Sequence, residues 1–285
     1  MNIPERCIFG FAGPDGAGKT TLFRIIATLM IPDEGQILIN ELETIRNYRE
    51  IRKFIGYMPG RFSLYADLTV EENLRFYATI FGTTLKENYH LIRDVYSQIE
   101  PFRKRLAAKL SGGMKQKLAL SCALIHNPKI LVLDEPTTGV DAVSRKEFWE
   151  LLYKLRNRGM TIIVSTPYMD EAGICDEIAL IHKGRILVIN KPEQVITSFR
   201  NYLYAVTGND PYKLTIDLKN FRKGTGTGAY LFGQSVHFSA VEKLPEAVIA
   251  EYLEELGNIN VLVRLIQPTI EDCFISAIAS SGEEN

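Results

Sequence analysis

The chain has 285 residues, 46% hydrophobic and 24% charged, and its 33 Lys and Arg against 34 Asp and Glu leave a net charge of −1. This composition can bury a sizeable core and excludes a chain disordered throughout, and it carries no global basic excess for nucleic acid or an anionic membrane. No apolar run approaches the roughly 18–20 residues that cross a bilayer, and the opening residues, with Glu5 and Arg6, do not read as a signal peptide, so the expectation is a cytoplasmic chain that reaches any membrane through a partner.

Cys7-Ile8-Phe9-Gly10-Phe11-Ala12 predicts a short strand, glycines at 13, 16 and 18 a turn, and Leu22, Ile25, Ile26 and Leu29 a helix stopped by Pro32. Gln36–Asn40 and Phe54–Met58 read as strands. Residues 61–128 read as mostly helical. Thr69 with Glu72 forms a capping box that opens a helix through Phe81, a second helix covers 86–99, and a third runs from Gly113 to Asn127. Ile130–Leu133 and Thr161–Ser165 are continuous apolar runs, the pattern of strands buried on both faces. Between them Phe148, Leu151, Leu152 and Leu155 mark a helix ending near Gly159. A helix near 169–175 follows, and Lys183-Gly184 joins Ile178–Ile181 to Ile186–Ile189 as a hairpin.

Strands alternating with helices imply a mostly parallel sheet with helices on both faces. The expected organisation is therefore an α/β domain over residues 1–198 with an inserted helical subdomain over 61–128, and a small α+β extension over 199–285. In that extension Tyr202–Val206 and Val261–Leu265 read as strands and Pro245–Leu256 as a helix. Tyr212–Leu218 is ambiguous: its alternation favours a strand, while Asp210-Pro211 is a good helix start. Gly224–Gly228 reads as a flexible loop. The four cysteines, Cys7, Cys122, Cys175 and Cys273, are widely spread without a C-x-x-C pair, which fits reduced, mostly buried thiols.

Gly13-Pro14-Asp15-Gly16-Ala17-Gly18-Lys19-Thr20 matches G-x-x-x-x-G-K-[ST], with Thr21 following at the start of the helix. Glycines let backbone N–H groups turn inward around a phosphate, Lys19 reaches the β/γ-phosphates, and the Thr20 hydroxyl can ligate Mg²⁺. The helix beginning here adds its N-terminal dipole. The second half of such a site is an acid at the end of a buried strand, and Ile130–Leu133 runs into Asp134 and Glu135. Asp134 would hold the metal and Glu135 would orient or deprotonate the attacking water. Either motif alone also fits an ordinary turn or a solvated strand end; their pairing favours the phosphate site.

Leu110-Ser111-Gly112-Gly113-Met114-Lys-Gln-Lys117, between the phosphate loop and the acidic strand, resembles the signature motif of ATP-binding cassette ATPases. Pro136-Thr-Thr-Gly-Val-Asp141 resembles the loop that follows their acidic strand, with Asp141 at the dimer-contact position. The resemblance covers about residues 7–195 and implies a P-loop NTPase fold, ATP and Mg²⁺ as ligands, and two cassettes that sandwich ATP head to tail. Ser111, Gly112 and Gly113 would then act on a nucleotide held by the partner cassette, a second copy or a different protein. Leu68–Leu74, the Pro-Thr-Thr-Gly-Val-Asp run and the tail Gln267–Phe274 resemble the exporter branch with separate, short membrane subunits, of the multidrug or antibiotic efflux kind. That implies a polytopic membrane subunit as partner and a peripheral position on the cytoplasmic face of the membrane.

The chain departs from the family's pattern in three places. The glutamine expected after Ile55–Pro59 is Gly60, which has no side chain to ligate or hydrogen-bond. The histidine expected after Ser165-Thr166 is Pro167, ahead of the expected Tyr168–Ala172, and proline cannot donate a hydrogen bond. The family also places strands and an adenine-stacking aromatic well before the phosphate loop. Here Phe9 and Phe11 read as strand core, so base stacking and one sheet edge lack their expected residues. All three concern the chain's own ATP site, whereas the signature and Glu135 are retained. The expectation is the weaker site of an asymmetric cassette pair.

Phe62 and Tyr65, in a loop beside Gly60, suit contact with a membrane subunit, whereas Phe76 and Phe81 fit core packing better. Asp170, Glu171, Asp176 and Glu177 read as a solvent-exposed cluster. Two alternatives stand beside the exporter: a cassette protein acting on ribosomes or nucleic acid, and a nucleotide-binding regulator with negligible turnover. Against the first, the interval from Lys19 to Ser111 holds no heptad run and one cassette is seen.

Overall fold

The structure, a computed structural model, describes residues 1–221 and 226–280. They divide into two compact units, Met1–Pro192 and the chain from Glu193 onward.

The first unit is built from β1 (Ile8–Ala12), α1 (Lys19–Ile26), β2 (Leu38–Ile39), β3 (Leu42–Glu43), α2 (Tyr48–Phe54), β4 (Ile55–Met58), α3 (Val70–Ile80), α4 (Leu85–Tyr96), α5 (Gly112–Leu124), β5 (Ile130–Asp134), α6 (Ala142–Asn157), β6 (Thr161–Thr166), α7 (Met169–Ala172), β7 (Glu177–His182) and β8 (Arg185–Asn190). Its main sheet runs β4-β5-β6-β1-β7-β8, parallel except for the β7–β8 hairpin. β1, β6 and nearly all of β5 are buried along their whole length, which is why they appear as unbroken apolar runs. Crossovers put β1 and β5 on either side of β6, and the loops leaving their C-terminal ends therefore meet at one edge of the sheet. Phe9, Phe11 and Phe23 form part of the core below them.

Several sequence expectations change. α1 ends at Ile26, not near Pro32: Thr28 adopts a left-handed φ of 60°, and Leu29 and Ile31 are exposed, so Leu29 lies outside the helical stripe. Gln36–Asn40 contributes only the two-residue β2, and Phe54 closes the unpredicted helix α2. α4 stops at Tyr96. Phe76 and Phe81 are 37% and 40% exposed, because α3 buries the stripe Val70, Asn73, Leu74 and Ala78 and Phe76 falls off it. Glu171 is buried, not solvated like Asp170, because α7 turns it inward.

The second unit comprises α8 (Pro192–Thr197), β9 (Tyr202–Thr207), α9 (Pro211–Lys219), β10 (Gly226–Phe232), β11 (Ser235–Ala240), α10 (Glu246–Glu255), β12 (Leu262–Ile266) and α11 (Ile270–Ser280). The sheet order β10-β11-β9-β12, antiparallel throughout, with α9 and α10 as crossovers, is the split β-α-β arrangement. Tyr212–Leu218 is helical: Asp210 caps the N–H groups of Tyr212 and Lys213, and Leu214 and Leu218, one turn apart, are the buried pair. Gly224 and Thr225 lie outside the described residues, while Gly226 and Gly228 belong to β10 and pair with Ala240 and Ser239. No described helix is long and apolar enough to cross a membrane.

Candidate functional site

The phosphate loop leaves β1 at Ala12 and enters α1 at Lys19. Gly18 sits at φ 99°, a conformation that favours glycine. The loop is held from two sides: Gly13 N donates to Thr166 O at 3.3 Å, and Gly184 N, in the β7–β8 turn, donates to Ala17 O at 2.9 Å. Pro14, Asp15 and Gly16 form the exposed rim, Ala17 is buried beneath it, and Thr21 is exposed on α1. Lys19 is 3% exposed. Its Nζ donates to Gly13 O at 2.8 Å and Pro14 O at 2.9 Å and lies 3.1 Å from Glu135 Oε1. These partners satisfy the buried amine at the mouth of the loop, where phosphate oxygens would replace carbonyls.

Thr20, Asp134 and Glu135 converge on the same point. Thr20 Oγ1 donates to Asp134 Oδ1 at 3.3 Å, and Asp134 is 2% exposed. A hydroxyl and one carboxylate oxygen at this spacing are hard donors of the kind Mg²⁺ takes alongside phosphate and water, and they fit that ion. β5 and β6 pair in register with Asp134 opposite Ser165, whose hydroxyl donates to Asp134 Oδ1 at 2.7 Å and accepts from Glu135 N at 2.9 Å. Glu135 itself is strained, with φ 48°. Such a backbone costs about 1–3 kcal/mol and persists where neighbours over-determine it. Ser165 was not singled out in the sequence. The signal was present, since Ser165-Thr166 is the polar end of an otherwise apolar strand beside the acidic one.

Ser111, Gly112 and Gly113 are not part of this network. Ser111 caps α5, its Oγ accepting from Met114 N at 3.4 Å, and both Ser111 and Gly112 are exposed. Gly113 is held against the start of α6: a Cβ there would lie 2.6 Å from Ser144 Oγ, so only glycine fits. Asp141 caps α6 through Ser144 N at 2.9 Å. The signature and the loop after β5 thus form one surface.

The departing positions lie at the site. A Cβ on Gly60 would be 3.0 Å from Asp134 O and 3.8 Å from Glu135 Cβ. Pro167, half-buried, follows the Thr166 carbonyl that holds Gly13. Phe9 and Phe11 are fully buried strand core. Nearby, burial and the Asp134 charge push the Tyr57 hydroxyl above its usual range, against the pull of Arg24, so it stays a neutral donor.

The ABC transporter family profile matches residues 1–138. The chain is 35% identical over 279 residues to the probable multidrug ABC transporter ATP-binding protein YbhF of Escherichia coli strain K12, a match over 96% of this chain and 47% of that protein. It is 36% identical over 215 residues to Nod factor export ATP-binding protein I of Rhizobium etli, over 74% of this chain and 68% of that one. The chain thus spans about half the length of the first and about two thirds of the second. Among solved structures, the dimeric ATP-binding cassette MJ0796, in a post-hydrolysis state bound to ADP and Pi, aligns at a TM-score of 0.61 with 28% identity, over 67% of this chain and 88% of that one.

Proposed function

The chain belongs to the ABC transporter family, and on that premise we propose that it is the ATP-binding and ATP-hydrolysing subunit of a membrane exporter. One observation carries the reading: the adjacent pair Lys19 and Thr20 and the pair Asp134 and Glu135, 114 positions further along the chain, meet around the mouth of one glycine loop. The names of the similar proteins, a multidrug transporter subunit and an export subunit, support export as the direction.

In this reading the loop Gly13–Thr21 wraps the phosphates with its N–H groups, Pro14 excepted. Lys19 leaves the Gly13 and Pro14 carbonyls to neutralise the β- and γ-phosphates. Thr20 and Asp134 hold Mg²⁺, which when bound offsets charge on the transferring phosphoryl group. Glu135 orients the attacking water and takes its proton. Ser111, Gly112 and Gly113 close over a nucleotide held by a second cassette, of the same or a different kind. A polytopic membrane subunit anchors the pair on the cytoplasmic face, with no nucleic acid involved.

Binding is tested with a fluorescent ATP analogue. A hydrogen bond to a charged group is worth about 1.5–3 kcal/mol, so Lys19→Ala is expected to weaken binding by roughly tenfold to a hundredfold. Unchanged affinity would remove the phosphate reading.

The membrane subunit is expected to meet the loop before α3. Phe62 and Tyr65 are 38% and 49% exposed, and Asn73, fully buried, pins the loop through Tyr65 N at 3.0 Å and the carbonyls of Tyr65, Leu68 and Thr69. A rigid aromatic surface suits a docking helix. The Phe62→Ala, Tyr65→Ala double variant is expected to lose co-purification with the membrane subunit while its melting temperature stays within a few degrees. A large fall in melting temperature would assign both rings to packing.

Gly60 and Pro167 support the view that this chain carries the weaker site of an asymmetric pair. They also support a second reading, a nucleotide-binding regulator with negligible turnover.

A further inference from the structure

We propose that Glu171 is a positioning residue for hydrolysis, its carboxylate fixing the loop that carries Glu135 against the end of the strand that holds the phosphate loop. The proposal rests on the reading of Glu135 as the group that handles water. Glu171 lies on α7, is 2% exposed and divides its oxygens between two segments. Oε1 accepts from Thr137 Oγ1 at 2.7 Å, and Oε2 accepts from Thr166 Oγ1 at 2.5 Å. Short O–H···O contacts to a carboxylate are the strong, charge-assisted kind.

Each threonine leads to the reaction centre. Thr137 stands two residues beyond Glu135 in a tight loop in which Thr138 N donates to Glu135 O and Val140 N donates to Thr137 O, both at 3.2 Å. The carbonyl of Thr166 accepts from Gly13 N. Ser165 holds the near side of the strained Glu135 peptide, and Thr137 with Glu171 holds the far side. Neither side alone over-determines a left-handed glutamate.

Two acceptor oxygens suit the hydroxyl geometry. Thr166 Oγ1 accepts from Tyr168 N at 3.0 Å, across Pro167, so its proton points to Glu171. A glutamine in the same pose presents its oxygen to one threonine and its NH2 group to the other, so one of the two hydroxyls must turn from donor to acceptor and the charge-assisted bonds are lost. Arg145 approaches the same carboxylate, its Nε 4.0 Å from Oε1, and its guanidinium lies 5.2 Å over the Tyr168 ring. Because Pro167 brings neither an N–H nor a polar side chain, Glu171 supplies the anchorage this segment cannot supply for itself.

The test uses the full chain, Glu171→Gln and Thr137→Val, with two readouts: amide hydrogen exchange of residues 135–141, and steady-state hydrolysis of Mg·ATP resolved into kcat and KM. The expected result for both variants is exchange about tenfold faster in that segment alone, a kcat lower by about tenfold and a KM within twofold. Unchanged exchange would overturn the proposal whatever the turnover. Exchange accelerated across the whole first unit would overturn it too, by making Glu171 a general fold contact. If Glu171→Gln does not fold, Thr137→Val decides on the same criteria. Absence of turnover at this chain's site both alone and in the complex with its partner cassette, with nucleotide still bound, would sink the hydrolysis reading. The exchange arm would still decide whether Glu171 holds the loop.

Discussion

Pro167→His is expected to raise the chain's rate of ATP hydrolysis by about 10²-fold in a single-turnover measurement at saturating Mg·ATP. One positioned donor at a transition-state oxyanion is worth on the order of 10²–10³ in rate. Position 167 follows the Thr166 carbonyl that fixes Gly13, so a donor placed there stands beside the phosphate loop. Little else needs to move. Proline has no N–H to lose, and the bonds that shape the segment, Tyr168 N to Thr166 Oγ1 and Thr166 Oγ1 to Glu171, do not involve residue 167. Releasing the proline costs about 0.4–1 kcal/mol through the unfolded chain, small beside the expected gain. Pro167→Ala removes the ring without adding a donor and is expected to match wild type. If Ala and His behave alike, the missing histidine is not what limits this site. Attention then shifts to Gly60, whose Cβ position lies against the Asp134 carbonyl and has little room for a longer side chain.

The first unit was legible in the sequence because its chemistry is local. Gly13–Thr20 and Ile130–Glu135 each carry a complete signal within a short window, and buried parallel strands announce themselves as apolar runs. Ser165, Glu171, Thr137 and Thr166 were not legible as site residues, because their contacts depend on the register of β5 with β6 and on the direction in which α7 turns. A glutamate in an acidic cluster looks solvated until the fold brings two threonine hydroxyls to it. Phe76 and Phe81 misled in the opposite sense: aromatic residues at nearly helical spacing suggest core, but the stripe of α3 runs through Val70, Leu74 and Ala78. In the second unit the alternation of Tyr212–Leu218 imitated a strand, and a single cap at Asp210 outweighed it. β10 and β11 escaped notice because their outward face carries His237, Tyr230 and Ser239, which are polar yet serve a second buried layer.

That second layer gives the other large effect. Asp272→Ala is expected to destabilise the second unit by about 3–5 kcal/mol, the cost of leaving a buried charged network without its partner. Asp272 has no exposed surface. Its Oδ1 accepts from Tyr230 OH at 2.5 Å and faces His237 Nδ1 at 2.6 Å, while its Oδ2 accepts from Thr269 N and Thr269 Oγ1, both at 2.6 Å. Burial alone would push this carboxyl up, but the bonds from Thr269, Tyr230 and His237 outweigh it and hold the carboxyl below its ordinary value. A carboxylate depressed in the folded state contributes stability above its unfolded pKa of about 3.9 and loses it as pH falls through the folded value. Denaturant midpoints, followed by circular dichroism, should therefore show the gap between wild type and Asp272→Ala fully open from pH 5 to 7 and closing below about pH 4. A gap independent of pH over this range would mean that lost packing, not the carboxylate, sets the cost. Asp272→Asn separates the two: it keeps the volume, forfeits the charge-assisted bonds and should fall between wild type and alanine. Because Asp272 ties α11 to Tyr230 and His237 on the face of the sheet opposite the α9 and α10 core, the tail Gln267–Phe274 acts by covering that second face, with no part in phosphate chemistry needed to explain its acids.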